Sequence, residues 1–424
     1  MALLVQKFGG SSLTDLTKLE TIARRIKLCC LEGHKIVVVL SALQGETDRL
    51  IGLANLVSSQ PTKREYDALL ATGEQVAACL MAMALNRIGV QSQSMNAWQA
   101  GIQTDAHHKR ASIMQIDSPG IKRALNNHVV PIITGFQGVG EDKGITTLGR
   151  GGSDTTALAV AAAIEADECQ IFVDVGGVYT TDPKIEPGAQ LLENMSIDQL
   201  LAHACSGAKV MQKRSVALAA RHRVPMRICP TFSEEPGTVI MYNEKPMLEK
   251  TEVKAIAFAK NQVMLQIRVI NHKYGDLQDL LKWMEQSGLE VEHTISQGIS
   301  RSTAQGYHDL SCLIAAEDFG CLKSALDTWL QKAEPLDYRI LRNVAKVSLL
   351  GYCMTRNMEI THTIMSIGKD FQIDFHIIQG SDQQIAMVVE QRHVEVLVRK
   401  LHSHFRLDRQ PVKVKEEDLC EEAG

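Results

Sequence analysis

Strand-like and helix-like stretches alternate through the first ~245 residues, and this constrains the chain more than anything else in it, because alternation is the pattern of an α/β sheet. LLVQKF and KIVVVLSAL are strand-like runs, and Leu16–Leu31 between them has helical spacing. Residues 63–88 read as helix on both sides of Thr72-Gly73-Glu74. HVVPIITGF ends as a strand into the glycine-rich QGVGEDKGITTLGRGGSD, and a helix then opens over Ala157–Ala166. CQIFVDV reads as a buried strand and VPMRICP as another. Pro230, Pro236 and Gly237 punctuate the close of this first domain, 1–245, and MLEKTEVK reads as a linker.

From 251 the texture changes. AIAFAK, VMLQIRVI and LSCLIAA are short strands around one helix, Leu277–Ser287. A similar order returns from 345: AKVSLLGY, a helix near Thr361–Gly368, QIDFHII, QIAMVVE and a helix at Val394–Phe405. A weak internal repeat of βαββαβ type, on the order of 75 residues per copy, predicts two small α+β modules. Their expected bounds are 251–335 and 340–410, followed by a frayed acidic tail, 411–424.

Composition removes several functional classes. With 424 residues, 45% hydrophobic and 22% charged, the chain has ample material for the cores of two or three soluble domains. A net charge of −4 gives no electrostatic footprint for nucleic acid or an anionic membrane. Apolar runs such as 36–40 and 157–164 fall short of the roughly 20 residues of a membrane span. MALLVQKFGG is too short for a signal-peptide core, so a cytoplasmic location is expected. The 10 cysteines include no C-x-x-C pair and the 14 histidines are scattered, so neither a disulfide framework nor a structural metal is expected. Asp318-Phe319-Gly320 lacks every other kinase signature. No Walker A lysine follows Gly149, and no G-x-G-x-x-G opens a helix after a strand.

What remains is a different set of phosphate-handling turns. Lys7-Phe8-Gly9-Gly10-Ser11-Ser12 sits between the first strand and a helix, where glycines let backbone N–H groups close on phosphate oxygens. Lys7 would place a point charge on a transferring phosphoryl group. Gly149-Arg150-Gly151-Gly152-Ser153-Asp154-Thr155-Thr156 is a second glycine-rich turn into a helix. There an arginine able to fork a carboxylate stands beside an acid able to organise lysines or bind an ammonium. Ser153, Asp154 and Thr155 also suit helix caps, which accounts for one or two of them but not for the arginine among glycines. The strand-to-loop stretch Phe172–Lys184 bears an aromatic, two acids and a cation, which suits the ribose and purine end of a nucleotide. Ser206-Gly207-Ala208-Lys209-Val210 is a short glycine turn with a lysine.

VQKFGGSS, SALQGETDRL, TGE, LGRGGSDTTA, DVGGVYTTDPK and SGAKVMQKRS, in this order and spacing, resemble the aspartate kinases of the amino-acid kinase superfamily. The resemblance is strong over 3–240 and weak over 251–410, where that family carries two ACT regulatory modules. It implies a three-layer αβα sandwich followed by two ferredoxin-like, ACT-type modules. It also implies ATP with Mg²⁺, L-aspartate as acceptor, 4-phospho-L-aspartate as product, and a place in lysine and threonine biosynthesis. A homodimer or homotetramer through the modules is implied, with no nucleic-acid or membrane partner.

By the same resemblance Lys7, Phe8, Gly9 and Gly10 contact the ATP phosphates, and Lys7 stabilises the transition state. Ser41 and Thr47 contact the amino acid, Glu74 holds its ammonium, and Arg150, Gly151, Gly152 and Ser153 bind its α-carboxylate. Asp154 is the catalytic aspartate. Val173, Asp174, Tyr179, Lys184, Lys209 and Val210 match nucleotide contacts, although the family usually has threonine or serine at Val173 and commonly aspartate at Gly176. Gly275 and Gln297 in the first module are the implied effector contacts. The second module lacks the family's proline-glycine around Asn357-Met358-Glu359, so weakened feedback by lysine or threonine is expected. Two other readings stand beside it: a superfamily kinase for a different amino acid, and a catalytically silent regulatory subunit. Retention of Lys7, Glu74, Arg150 and Asp154 argues against the silent one.

Overall fold

The computed structural model describes residues 1–207, 210–242, 252–270, 274–286, 291–299, 306–333, 335, 337–352, 354 and 358–409. It separates into two compact units: Met1–Val178 with Leu191–Met247, and Tyr179–Gln190 with Leu248–Gly424. The expected linker MLEKTEVK, 247–254, lies outside the described residues up to 251, and its last three residues open a strand.

The first unit runs β1 (Leu3–Phe8), α1 (Leu16–Leu31), β2 (Lys35–Leu40), α2 (Glu46–Val57), α3 (Lys63–Leu70), α4 (Thr72–Arg87), β3 (Ser92–Met95), β4 (Ile102–Thr104), β5 (Ile113–Ile116) and α5 (Pro119–Asn126). It continues through β6 (Val130–Thr134), β7 (Gln137–Val139), β8 (Ile145–Thr147), α6 (Gly152–Ile164), β9 (Glu168–Val173), β10 (Asn194–Ser196), α7 (Ile197–Cys205), α8 (Lys213–His222), β11 (Met226–Pro230) and β12 (Thr238–Met241). Eight strands form one sheet in the order β10-β12-β11-β9-β1-β2-β6-β3, in which β11, β9, β1, β2, β6 and β3 are mutually parallel.

Strand periodicity sorts the side chains into two cores. Val5, Val37, Val39, Ile133 and Ile171 face α5, α6, α7 and α8. Leu4, Phe8, Ile36, Val38, Leu40 and Phe172 face the apolar stripes of α1 and α4, among them Ile22, Ile26, Met81 and Leu85. Because both faces are covered, the strands read as continuous apolar runs, and the result is a three-layer αβα sandwich. Two helix starts are capped by side chains. The Asp15 carboxylate accepts from Lys18 N ahead of α1, and Ser196 and Gln199 form a reciprocal box at α7. α3 and α4 together, 63–87, are long and apolar enough to cross a membrane, but half of that stretch is buried inside the protein, as in a core helix. A smaller sheet, β5-β4-β7-β8, lies in the same unit.

α6 begins at Gly152, ahead of the expected Ala157. Gly151 turns the chain in with φ 72°, no side chain caps the helix, and Ser153, Asp154 and Thr155 lie inside its first turn.

The second unit contains β13 (Glu252–Ile270), α9 (Tyr274–Gln286), β14 (Glu292–Ile299), β15 (Gly306–Ala315), α10 (Ala316–Ala333), β16 (Asp337–Tyr352), α11 (Met358–Phe371), β17 (Ile377–Gly380), β18 (Gln384–Glu390) and α12 (Val394–His404). Its sheet has the order β14-β15-β13-β16-β18-β17. The two strands expected at AIAFAK and VMLQIRVI are one, bulged near Asn261 at φ 58°. The early half of β13 pairs with the late half of β16, and the late half with β15 and the early half of β16. Two ferredoxin-like modules are thereby interleaved. One has a core of Leu265, Leu280, Leu310 and Leu322, the other of Ile256, Val347, Ile364 and Leu397.

Tyr179–Gln190 belongs to this second unit. Ile185 lies in the core with Leu397 and Leu401, and Arg399 Nε donates to its carbonyl at 2.9 Å. Ile256 N donates to Thr180 O at 2.7 Å, and the Thr180 hydroxyl lies 3.0 Å from His402 Nε2. Burial lowers the His402 pKa, against smaller opposing effects of Glu186 and Asp408.

Candidate active site

The chain leaves β1 toward β2 on one side and later fills β9 on the other, so β1/β9 is a topological switch point, where open α/β sheets bind ligands at the strands' carboxyl ends. Lys7 and Phe8 end β1 there, Ser41 follows β2, and Val173 and Asp174 end and follow β9. Phe8 and Phe172, paired across β1 and β9, stack with ring centroids 4.5 Å apart. The Arg25 guanidinium covers Phe172 at 4.7 Å and donates to the Pro230 and Thr231 carbonyls. Side-chain stacking and hydrogen bonds thus tie together the ends of β1, β9 and β11.

Lys7 alternates to the opposite face from Phe8 and meets α6. Its Nζ lies 2.5 Å from Asp154 Oδ1, with both residues buried. A buried ion pair is costly unless well placed, and Asp154 gains from its position in the first turn of α6. Next to it the backbone approaches closely. A Cβ on Gly9 would sit 3.2 Å from Lys7 Nζ, and one on Gly10 3.1 Å from Ala42 O. A Cβ on Gly135, just past β6, would sit 2.7 Å from the Ser153 hydroxyl and 2.9 Å from Leu40 O. A methyl group at Gly135 would force its neighbours to shift, whereas one at Gly9 or Gly10 would only crowd them.

Glu74 lies in the first turn of α4, 3% exposed. Its Oε1 accepts from Ala42 N at 3.1 Å, just past Ser41, while its buried Oε2 has no hydrogen-bond partner. Burial pushes its pKa up to about 7, with the Ala42 amide pulling the other way. Gly73 lets α4 come this close, since a Cβ there would lie 2.9 Å from that of Ala42 and 3.5 Å from Glu46 Cγ. Thr47, beside Glu46, is part-buried in the first turn of α2.

The structure thus gathers Lys7, Gly9, Gly10, Ser41, Glu74, Gly152, Ser153 and Asp154 around the ends of β1, β2 and β6, with Val173 and Asp174 one strand away. Arg150 is exposed immediately before α6, flanked by Gly149 and Gly151 at φ 79° and 72°. Val210 is half-buried against the first unit's core, and Lys209 lies outside the described residues. Tyr179 and the exposed Lys184 are on the Tyr179–Gln190 segment, which belongs to the second unit. Gly275 sits within the first turn of α9 rather than before it, with nothing within 4 Å of an added Cβ. Gln297 lies in β14.

Sequence reasoning missed Asp67, which is completely buried on α3 and accepts from two backbone amides. Its signal was an acid on the apolar face of KREYDALL, in line with Leu70 and two helical turns ahead of Glu74.

The chemistry of this cluster is that of group transfer between two anions: a cation and a glycine-rich turn at one end, and an unpartnered buried carboxylate oxygen at the other. The description of the matching family model is the amino acid kinase family, over residues 2–230. An aspartate kinase of Pseudomonas putida is 38% identical over 408 residues, 96% of this chain and 98% of that one. Aspartokinase 2 of Bacillus subtilis is 36% identical over 414 residues, 98% of this chain and all of its own. Among solved structures, E. coli aspartokinase III in complex with aspartate and ADP (R-state) superposes with TM-score 0.77 at 22% identity, covering 95% of this chain and 99% of that one. Fold, cleft and sequence agree: this chain belongs to the amino acid kinase family and, within it, to the aspartate kinases.

Proposed function

We propose that the enzyme moves the γ-phosphoryl group of ATP to the β-carboxylate of L-aspartate, giving 4-phospho-L-aspartate. The observation that carries this reading is Glu74: a buried carboxylate with one oxygen unpartnered calls for a cation, and an amino acid brings an ammonium. Arg150, a planar fork on a glycine-flanked turn, suits the α-carboxylate, with Ser153 and the uncapped start of α6 beside it. Ser41 and Thr47 border the same space.

The acceptor carboxylate is already ionised and nucleophilic near neutral pH, so no general base is needed. The work of the protein is to align two anions and neutralise them. Gly9 and Gly10 let the backbone close on the phosphates, and Lys7, held in place by Asp154, places its ammonium where charge develops. Val173 and Asp174 border the nucleotide, and Tyr179, Lys184, Lys209 and Val210 complete that list of contacts on this reading. Among the described residues no three acids, imidazoles or thiols converge on a metal. Asp154 and Asp174 would hold a Mg²⁺ that arrives with the nucleotide, since one or two carboxylates suffice for this ion. When bound it spreads the charge of the transferring group.

Retention of the Lys7–Asp154 ion pair, and of a buried Glu74 with one oxygen unpartnered, favours a working kinase over a silent regulatory subunit. On this reading the enzyme serves lysine and threonine biosynthesis in the cytoplasm, and its ACT-type modules carry a homodimer or homotetramer. The test is ADP release with ATP and Mg²⁺ across a panel of amino acids, with acyl phosphate trapped by hydroxylamine. Turnover confined to aspartate supports the reading. Turnover with another amino acid, or none with any, rejects it.

A further inference from the structure

We propose that Asp67 is a positioning residue that sets the distance between the two arms of the amino-acid clamp. The proposal rests on the reading of Glu74 and Arg150 as those arms. Asp67 is 0% exposed, and a carboxylate so deep is tolerated only when its lone pairs are met. They are met by Lys109 N at 3.1 and 3.0 Å, Thr147 N at 3.1 Å, Thr147 Oγ1 at 2.7 Å and His108 Nδ1 at 2.7 Å.

The placement of those partners is the argument. On its own side, Asp67 sits on α3, which passes through Ala71 into α4 and so to Glu74. On the other side, Thr147 ends β8, three residues before Arg150. One carboxylate is therefore bonded to the chain just ahead of the carboxylate-binding arginine and is carried on the helix pair that bears the ammonium-binding glutamate.

The remaining contacts make the tie directional. Gly149 has φ 79°, and a Cβ there would lie 2.9 Å from Lys109 O, so the loop held by Asp67 abuts the turn into Arg150. Ala111 N donates to Thr147 O at 2.9 Å. From the far side, the Arg214 guanidinium donates to Leu148 O at 2.8 Å and to Ala111 O at 2.6 Å. Loss of the Asp67 acceptors frees this turn to shift relative to α4. Misplacement of about 1 Å costs on the order of 10²-fold in well-aligned sites.

The test is Asp67→Asn, which keeps the volume but replaces one acceptor oxygen with an NH₂ that faces donors. The expected result is at least a tenfold rise in KM for aspartate, with KM for ATP changed less than threefold. A brace that served folding alone would lower the melting temperature and the active fraction without splitting the two KM values. Thr147→Val should raise the aspartate KM in the same sense, and Thr147→Ser, which restores the hydroxyl, should recover most of the loss. In the double variant with Arg150→Lys the two effects should combine less than multiplicatively, since both act on one arm. An unchanged aspartate KM in Arg150→Lys alone removes the clamp reading, and the proposal with it. A raised KM in Arg150→Lys, beside an unchanged one in folded Asp67→Asn, overturns the proposal and leaves the clamp standing. If Asp67→Asn does not fold, Thr147→Val decides between the same two outcomes.

Discussion

Removing the charge of Glu74 should make the free enzyme more stable and the catalyst worse. Its pKa stands at about 7 against an ordinary 4.5 because burial outweighs the opposing backbone amides of Ala42 and of Glu74 itself. At about 1.4 kcal/mol per pH unit, ionising it in the empty site costs about 3 kcal/mol more than in water. The folded pKa lies above the unfolded one. Between pH 4.5 and about 7 the folded chain binds the extra proton, so this residue's contribution to stability falls as pH rises through that window. Above about 7 the full cost is present. Glu74→Gln should abolish this decline and raise the unfolding temperature of the substrate-free enzyme at pH 8. Aspartate requires the ionised form, so kcat/KM for aspartate should rise about tenfold from pH 6 to a plateau above 7, as one group with pKa near 7 dictates. At saturating aspartate the bound ammonium keeps Glu74 ionised, and kcat should be flat over the same range. Initial rates of ADP release at fixed saturating ATP, with aspartate varied at each pH, measure both quantities. A flat kcat/KM between pH 5.5 and 8.5, or a Glu74→Gln variant with the wild-type profile, refutes the assignment.

Lys7→Ala should lower kcat by 10²–10³, about 3–4 kcal/mol of transition-state stabilisation, with the fold intact by circular dichroism. A variant that keeps more than about a tenth of kcat would contradict that role. Gly135→Ala forces a methyl group to within 2.7 Å of Ser153 and 2.9 Å of Leu40 O, so it should destabilise the protein by about 1–3 kcal/mol and lower aspartate turnover. A melting curve and KM equal to wild type would show that Ser153 can move freely. Gly275→Ala meets nothing within 4 Å on α9 and should stabilise by up to about 1 kcal/mol in denaturant unfolding. Destabilisation there would mean that the glycine serves a close approach after all.

Much of the first unit was legible because its strands are continuous apolar runs with glycine-rich turns at their ends. The turns at Lys7 and Arg150 were visible because the glycine-rich motifs occur together in order; KFGG alone reads equally as a plain turn with a solvated lysine. The start of α6 was misjudged for a physical reason: Ser153, Asp154 and Thr155 are residues that cap helices, yet Gly151 makes the turn and leaves them inside it. Asp67 was invisible because its value lies in distant donors, Lys109 and Thr147, that no local pattern links to it. The sequence reads Phe172–Lys184 as a nucleotide loop, and the part of it from Tyr179 onward belongs to the second unit. Only Ile185 in that polar stretch hints at its packing against α12. The break between AIAFAK and VMLQIRVI looked like a strand end, because Lys260-Asn261 interrupts the apolar period and a bulge does the same.

Interleaving of the two modules has a consequence for how the second unit is made. Ile256 pairs with Leu349, so the first strand of one module is synthesised long before the strand it needs. Closing so long a loop carries an entropic cost and slows folding when the intervening chain is slack. Here it is not slack, because everything between the two strands is the other module, a contiguous unit with its own core around Leu265 and Leu322. Once that module has formed, the late half of β13 and the early half of β16 are already neighbours, and their continuations emerge side by side. The early module then acts as a turn of very large size for the later one. Core substitutions in it, at Leu265 or Leu322 for instance, should delay formation of the cluster around Ile256, Leu349 and Leu397, which they do not touch.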